Sequence, residues 1–254
     1  MQMSVVPRKA AAVVLVRPSP AAGGPDGPAE VFLTRRPETM AFAGGHFVFP
    51  GGKLDPTDSA PENLALARGM EAERAAAIFG DGEPPQPSLG LWLAAIRELF
   101  EEAGILLCTT KEGEGPDLKL PAIQARLAAG REDVHQRRRT LASLMQELGL
   151  HYNAGGLHYL TRWITPDHFP MRFDARYFLC RIPAGQIAEP CRHEVSVARW
   201  IQPAEALGRW RAGELKMRNP TSTTLMYLAR FPECSSLLAA AQSGGLGFPP
   251  LSTG

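Results

Sequence analysis

The sequence predicts an α/β protein in which a mixed β-sheet lies between helices. Three observations carry that expectation: β-branched apolar runs near the start and again in the last third, longer segments of helical composition between them, and an order that is neither regular βαβ alternation nor all-β. No internal repeat interrupts the reading.

"KAAAVVLVR" and "EVFLTRR" read as two strands joined by the Gly/Pro loop "PSPAAGGPDGPA". "HFVFP" continues the strand pattern and breaks at Pro50-Gly51-Gly52, where backbone can turn sharply and approach a ligand closely. "PENLALARGMEAERAAAIFG" has helical composition and ends in the loop "DGEPPQPS". A second helix is expected to start after Ser88 as N-cap and to stop at Gly104. Residues 119–150 read as one or two helices with a break near Gly130. Strands resume in "GLHYLTRWIT", "RFDARYFLCRI" and "EVSVARWI", and two helices follow, "PAEALGRWRAGEL" and "TSTTLMYLARF". In the last of these Pro220 suits a first turn and the hydroxyls suit a cap.

At 254 residues the chain suits one decorated domain spanning 1–254, with a substantial core. Lys+Arg 27 against Asp+Glu 26 leaves a net charge of +1, which argues against nucleic acid as the main partner. Cys108, Cys180, Cys191 and Cys234 show no C-x-x-C spacing, and a reducing cytoplasm is the expected location. The apolar run near the start is too short to span a bilayer, so no membrane association is expected.

In "RELFEEAGI", Glu98, Glu101 and Glu102 fall within roughly 100° of arc on a helix, opposite Leu93, Ile96 and Phe100. Like charges so placed repel, and near a helix C-terminus they also oppose the dipole. Two readings follow. One is a solvated acidic face; the other is a seat for Mg²⁺ or Mn²⁺, hard cations that take carboxylate oxygens and serve displacement at phosphorus.

These residues resemble the second half of the Nudix hydrolase box, G-x5-E-x7-R-E-U-x-E-E-x-G-U with U aliphatic. Arg97, Glu98, Leu99, Glu101, Glu102, Gly104 and Ile105 fill its positions, and "FPGGKLDPTD" resembles its first half. Asp58 stands where the pattern asks for glutamate, and 38 residues, Ser59 to Ile96, separate it from the arginine where the pattern has seven. Loop-closure entropy grows only logarithmically with length, so the halves can still meet. An interrupted box of this kind, with "TRWITP" and "MRFDARYFLCRIP" downstream, resembles the subgroup that contains the peroxisomal coenzyme A diphosphatases.

The resemblance implies a Nudix α/β/α sandwich with an insert at 59–88, a helical insertion at 111–152 and C-terminal helices at 203–240. It implies metal-dependent hydrolysis of a nucleoside diphosphate derivative, coenzyme A or acyl-coenzyme A first; ADP-ribose or NADH, and a non-catalytic nucleotide-binding module, are the alternatives. Glu98, Glu101 and Glu102 would hold the metal and Arg97 would orient them. Glu194, six residues before Trp200, is the candidate further ligand or base. Gly51 and Gly52 would shape the phosphate loop, and Arg35, Arg36, Arg172 and Arg176 are the candidate substrate arginines. The "RRR" run at 137–139 reads as a solvated face or as a catcher of a 3′-phosphate. The alanine-rich insert would suit a lid or a homodimer surface.

Overall fold

The computed structural model describes residues 5–20, 26–40, 42–191, 195, 197–244 and 246–248. Its centre is strand β1 (Arg8–Pro18), whose run of small and branched apolar residues is buried on both faces. β2 (Ala29–Arg35) pairs antiparallel with β1 on one side, carrying the two-residue β3 (Phe47–Val48) near its end, while β4 (Gly51–Lys53) pairs antiparallel with the start of β1. A second, smaller sheet joins β5 (Ala67–Arg68), β6 (Cys108–Thr109) and β7 (His151–Asn153). In the main sheet β8 (His158–Ile164), β9 (Phe173–Arg181) and β10 (Val197–Ile201) complete the order β10-β2-β1-β9-β8. Within this sheet, among the described residues, only β1 and β9 run parallel, in register from Arg8 opposite Phe173 to Val16 opposite Arg181. The sheet is therefore mixed, as the element order predicts.

Alternation along the strands sends successive side chains to opposite faces. Ala11, Val13 and Leu15 join Phe178 and Cys180 in one core, with α1 (Pro61–Leu64), α2 (Ala72–Phe79) and α3 (Pro85–Ala103) on that side. The side also holds the helical insertion, α4 (Pro121–His135) and α5 (Leu141–Glu147). Val14, Val16, Val31, Leu33 and Leu179 face a second core built with α6 (Pro203–Arg211), α7 (Asn219–Leu228) and α8 (Cys234–Gln242). The result is a three-layer sandwich. Among the described residues no helix is long and apolar enough to cross a membrane.

Several local expectations are corrected. α3 begins at Pro85, three residues before Ser88, because prolines are tolerated in a first turn; Ser88 is buried and donates to the Glu83 carbonyl. Its stop at Gly104 (φ +69°) is as expected. The alanine-rich segment is not one helix: Gly69, at φ +77°, passes so close to Gly155 that a side chain there would strike it, and the chain breaks into α1, β5 and α2. α4 runs through Gly130, which is buried beneath Leu144 and has no room for a Cβ, and the break falls instead at 136–140. α7 has no side-chain cap; Ser222 and Thr224 donate back to carbonyls of their own first turn.

The 59–88 insert is built into the protein rather than laid over it. Phe79 packs tilted against Trp92 with ring centroids 4.8 Å apart, and Trp92 meets Phe178 edge-on at 4.7 Å. Beyond α2, Asp81 pairs with Arg176 and Arg162, and Glu83 pairs with Lys9. The apolar face of α2 is thus filled by the chain's own core.

Candidate active site

The two half-motifs meet. Asp55 and Asp58 close a reciprocal cap: Asp55 accepts from the Thr57 N–H while the Asp55 N–H donates to Asp58 Oδ2 at 2.8 Å. That fixes Asp58, which is buried, beneath the side chain of Arg97. Arg97 then donates Nε to Asp58 Oδ1 at 2.8 Å, Nη2 to Asp58 Oδ2 and to the Lys53 carbonyl at 2.9 Å each, and Nη1 to Glu98 Oε1 at 2.8 Å and Glu101 Oε1 at 2.9 Å. One guanidinium orients three carboxylates and the loop.

Glu98 and Glu102 are buried, which removes the reading of a solvated acidic face. Glu102 accepts from the Gly51 N–H at 3.1 Å. Gly52 lies so close to Glu98 that a Cβ would overlap its carboxylate, so this position accepts no side chain without moving the wall. Burial pushes Glu98 up to about 7, with Arg97 opposing and Glu101 adding to the rise. Burial works against the charge of Arg97 too, yet Glu98, Asp58 and Glu101 outweigh it and hold the guanidinium protonated.

The C-terminal carbonyls of α3 are satisfied from elsewhere. Arg131 of α4 donates Nε to the Glu101 carbonyl at 3.0 Å, and the N–H groups of Glu189 and Cys191 reach the carbonyls of Ala103 and Glu102 at 2.8 and 2.9 Å. His135 Nδ1 stands 3.8 Å from Glu101 Oε2. The helical insertion therefore buttresses the acidic wall from behind, a role no motif announced.

In front of the wall opens a cleft of about 1140 Å³. Gly51, Gly52, Arg97, Glu98 and Glu102 line its acidic part, and Phe42, Trp163, Phe169, Phe173 and Tyr177, with Met171, a largely aromatic part. Ala43 and Arg137, the non-glycine residues with positive φ (54° and 57°) among the described residues, both line it as well. Backbone held in that region by residues other than glycine gathers at functional sites. No residue of 59–88 lines the cleft, so the insert is no lid over it among the described residues.

Of the substrate arginines expected from sequence, only Arg36 lines the cleft, and its Nε is buried without a partner among the described residues. Arg176 is a correction. In β9 it alternates with Phe173, Ala175 and Tyr177, so those three line the cleft while Arg176 faces the other side, bound to Asp174 and Asp81. Arg172 is corrected for a different reason: it is buried, donates to the carbonyls of Thr165 and Val5, and pairs with Asp167. Arg35 donates to the Gly45 carbonyl and pairs with Glu38, and it lines a separate hollow of about 350 Å³. Glu194 lies outside the described residues.

The donor set fits a hard divalent cation, since carboxylate oxygens of Glu98, Glu101 and Glu102 and the carbonyls of a glycine loop are what Mg²⁺ and Mn²⁺ take. Among the described residues, however, no three His, Cys, Asp or Glu side chains converge as a finished metal cluster. Arg97 bonds Glu98 and Glu101, and Glu102 turns to Gly51, so the carboxylates are brought to one wall but not to one point. Of the arginine run at 137–139, read from sequence as a solvated face or a 3′-phosphate catcher, only Arg137 lines the cleft, and sequence reasoning missed the stretch Arg218–Thr221 beside it. The Asp55-x-x-Asp58 cap was visible as a spacing; the Arg218 position carried no motif signal.

A model of the NUDT19 Nudix domain matches residues 7–228. The acyl-coenzyme A diphosphatase NUDT19 of Gallus gallus is 29% identical over 264 residues, covering 91% of this chain and 70% of that protein. Its Homo sapiens counterpart is 30% identical over 251 residues, and there this chain, covered to 87%, spans less than two thirds of the relative's length, 64%. Among solved structures, a NUDIX hydrolase from Alicyclobacillus acidocaldarius shares 30% identity with a TM-score of 0.73, covering 93% of this chain and 97% of that one. The family match runs from residue 7 to residue 228, the end of α7, and takes in both halves of the interrupted box: this chain belongs to the Nudix hydrolase family, in the group defined by the NUDT19 Nudix domain.

Proposed function

We propose that the chain hydrolyses the diphosphate of coenzyme A or an acyl-coenzyme A, giving adenosine 3′,5′-bisphosphate and a 4′-phosphopantetheine product. The observation that carries this reading is the single guanidinium of Arg97 tying Asp58, Glu98 and Glu101 into a buried acidic wall that opens on a large, partly aromatic cleft. The names of the NUDT19 relatives support the choice of substrate.

In this reading Glu98, Glu101 and Glu102 hold Mg²⁺ or Mn²⁺, with Glu194 a further candidate. The bound ion supplies charge neutralisation at the diphosphate and a more acidic water. Arg97 keeps the carboxylates aimed. Gly51 and Gly52 let backbone lie against the phosphates, and Arg36, Lys53 and Arg137 face the anionic part of the substrate from the cleft lining. A carboxylate of the wall receives the proton of the attacking water. All four cysteines are free, which supports a reducing compartment such as the cytoplasm.

The test is product analysis by mass spectrometry on coenzyme A, acetyl-coenzyme A, ADP-ribose and NADH, with Mg²⁺, Mn²⁺ or a chelator. Metal-dependent release of adenosine 3′,5′-bisphosphate is expected. AMP from ADP-ribose or NADH alone would replace the substrate, and no turnover of any compound would overturn the hydrolytic reading.

A further inference from the structure

Among the described residues, five cationic side chains line the cleft: Arg36, Lys53, Arg97, Arg137 and Arg218. They are not equivalent: Arg36 is half-buried directly after β2 with its Nε enclosed, whereas Arg218 is exposed. Arg97 is fully engaged with the acidic wall, and Lys53 belongs to the glycine strand beside it. Arg137 stands 3.7 Å from Asp55, so its charge faces the wall as well. Arg218 differs. It makes no ion pair among the described residues, and its guanidinium carbon lies 5.5 Å from the ring centre of Phe42 and 6.0 Å from that of Phe169. Phe42 in turn packs edge-on against Phe173 at 4.7 Å, and the rings of Phe42, Phe169 and Phe173 are each only partly buried where they line the cleft.

A surface of aromatic faces with an exposed guanidinium accepts a nucleobase by stacking and, through the guanidinium N–H groups, a phosphate beside it. The diphosphate belongs at the wall. A substrate of the coenzyme A kind carries one more phosphate group, on the ribose next to the base. We propose that Arg218 recognises the 3′-phosphate of an adenine nucleotide whose base lies on the surface made by Phe42 and Phe169. The proposal rests on the coenzyme A reading and adds to it the residue that distinguishes a 3′-phosphorylated nucleotide from a plain one.

The test is calorimetric binding of adenosine 3′,5′-bisphosphate and of AMP to the full chain. With one charge-assisted contact at stake, the parent should prefer the bisphosphate by about 10- to 100-fold, and Arg218→Gln should bring that preference to within about threefold by weakening the bisphosphate alone. Phe42→Leu should weaken both nucleotides alike. No preference in the parent, a preference that survives Arg218→Gln, or one abolished by Arg137→Gln instead would each overturn the assignment. Turnover of coenzyme A against 3′-dephospho-coenzyme A separates the two claims: a parent that hydrolyses neither sinks the proposed reaction while the binding result still decides Arg218. If both are hydrolysed and Arg218→Gln slows them equally, the reaction stands and the 3′-phosphate contact fails.

Discussion

Arg97 and Asp58 are 39 positions apart in the chain, yet they meet in a two-point contact, Nε to Oδ1 at 2.8 Å and Nη2 to Oδ2 at 2.9 Å. The same guanidinium reaches Glu98 and Glu101, so the pair is where the loop half of the box is fastened to its helix half. Removing one partner of a buried pair leaves a charge uncompensated, at about 3–5 kcal/mol. Asp58→Ala should lower thermal stability by that order and reduce kcat, whereas Asp58→Glu, the residue the family pattern asks for, should retain more of both. Thermal melts read beside initial rates check this.

Glu101→Gln and Glu102→Gln preserve shape and remove charge. Each should reduce kcat by orders of magnitude while melting within a few degrees of the parent, because Gln can still accept from Arg97 or from the Gly51 N–H. Parent-level rates in both would remove the wall from the mechanism.

Glu98 sets the pH dependence. Its folded-state pKa, raised to about 7 by burial, exceeds the ordinary carboxylate value, so the metal-free protein binds an extra proton between about 4.5 and 7. The stability this proton confers is complete at the acid end and is lost as pH rises through about 7. Divalent ions need the ionised carboxylate, so their affinity should fall about tenfold per pH unit below about 7. Melting temperatures with and without Mn²⁺ at pH 6, 7 and 8 should show the ion stabilising most at pH 8, and Glu98→Gln should flatten the trend.

Arg176 offers the opposite test. It is buried, paired with the buried Asp174 and with Asp81 at the surface, away from the cleft. Arg176→Ala should cost roughly 3–5 kcal/mol, about 10 °C in melting temperature for a chain this long, with KM near the parent value well below the melt. A large rise in KM without loss of stability would return this arginine to the substrate.

Gly52→Ala should be nearly silent for folding of the sheet and severe for activity, since its methyl group would push on the Glu98 carboxylate. A variant with parent-level kcat would show that the wall tolerates displacement.

The parts of the fold that were legible in the sequence are those written in local periodicity. The run Lys9–Arg17, the helix ending at Gly104 and the late strands follow from alternation, amphipathicity and a glycine stop. The wall was legible because Glu98, Glu101 and Glu102 lie within one turn of helix. What stayed hidden depends on long-range geometry. Arg176 and Tyr177 are adjacent in sequence, and only the pairing of β9 decides which faces the cleft. Gly130 reads as a helix breaker until Leu144 is found resting on it. Arg218 sits in an ordinary helix entrance and becomes notable only when Phe42 and Phe169, from two other loops, come beside it.

The small second sheet has a bearing on how such chains diverge. β5 comes from the insert inside the box, β7 stands at the end of the later helical insertion, and β7 pairs with β5 on one side and β6 on the other. The two insertions are therefore one cassette with two entry points. A chimera that exchanged only the first between homologues would ask a foreign β5 to match a resident β7, and one that exchanged only the second would ask a foreign β7 to match a resident β5; deleting the first would leave one edge of β7 bare. Inheritance of the pair together is the arrangement this geometry favours, so their lengths should be expected to change in concert.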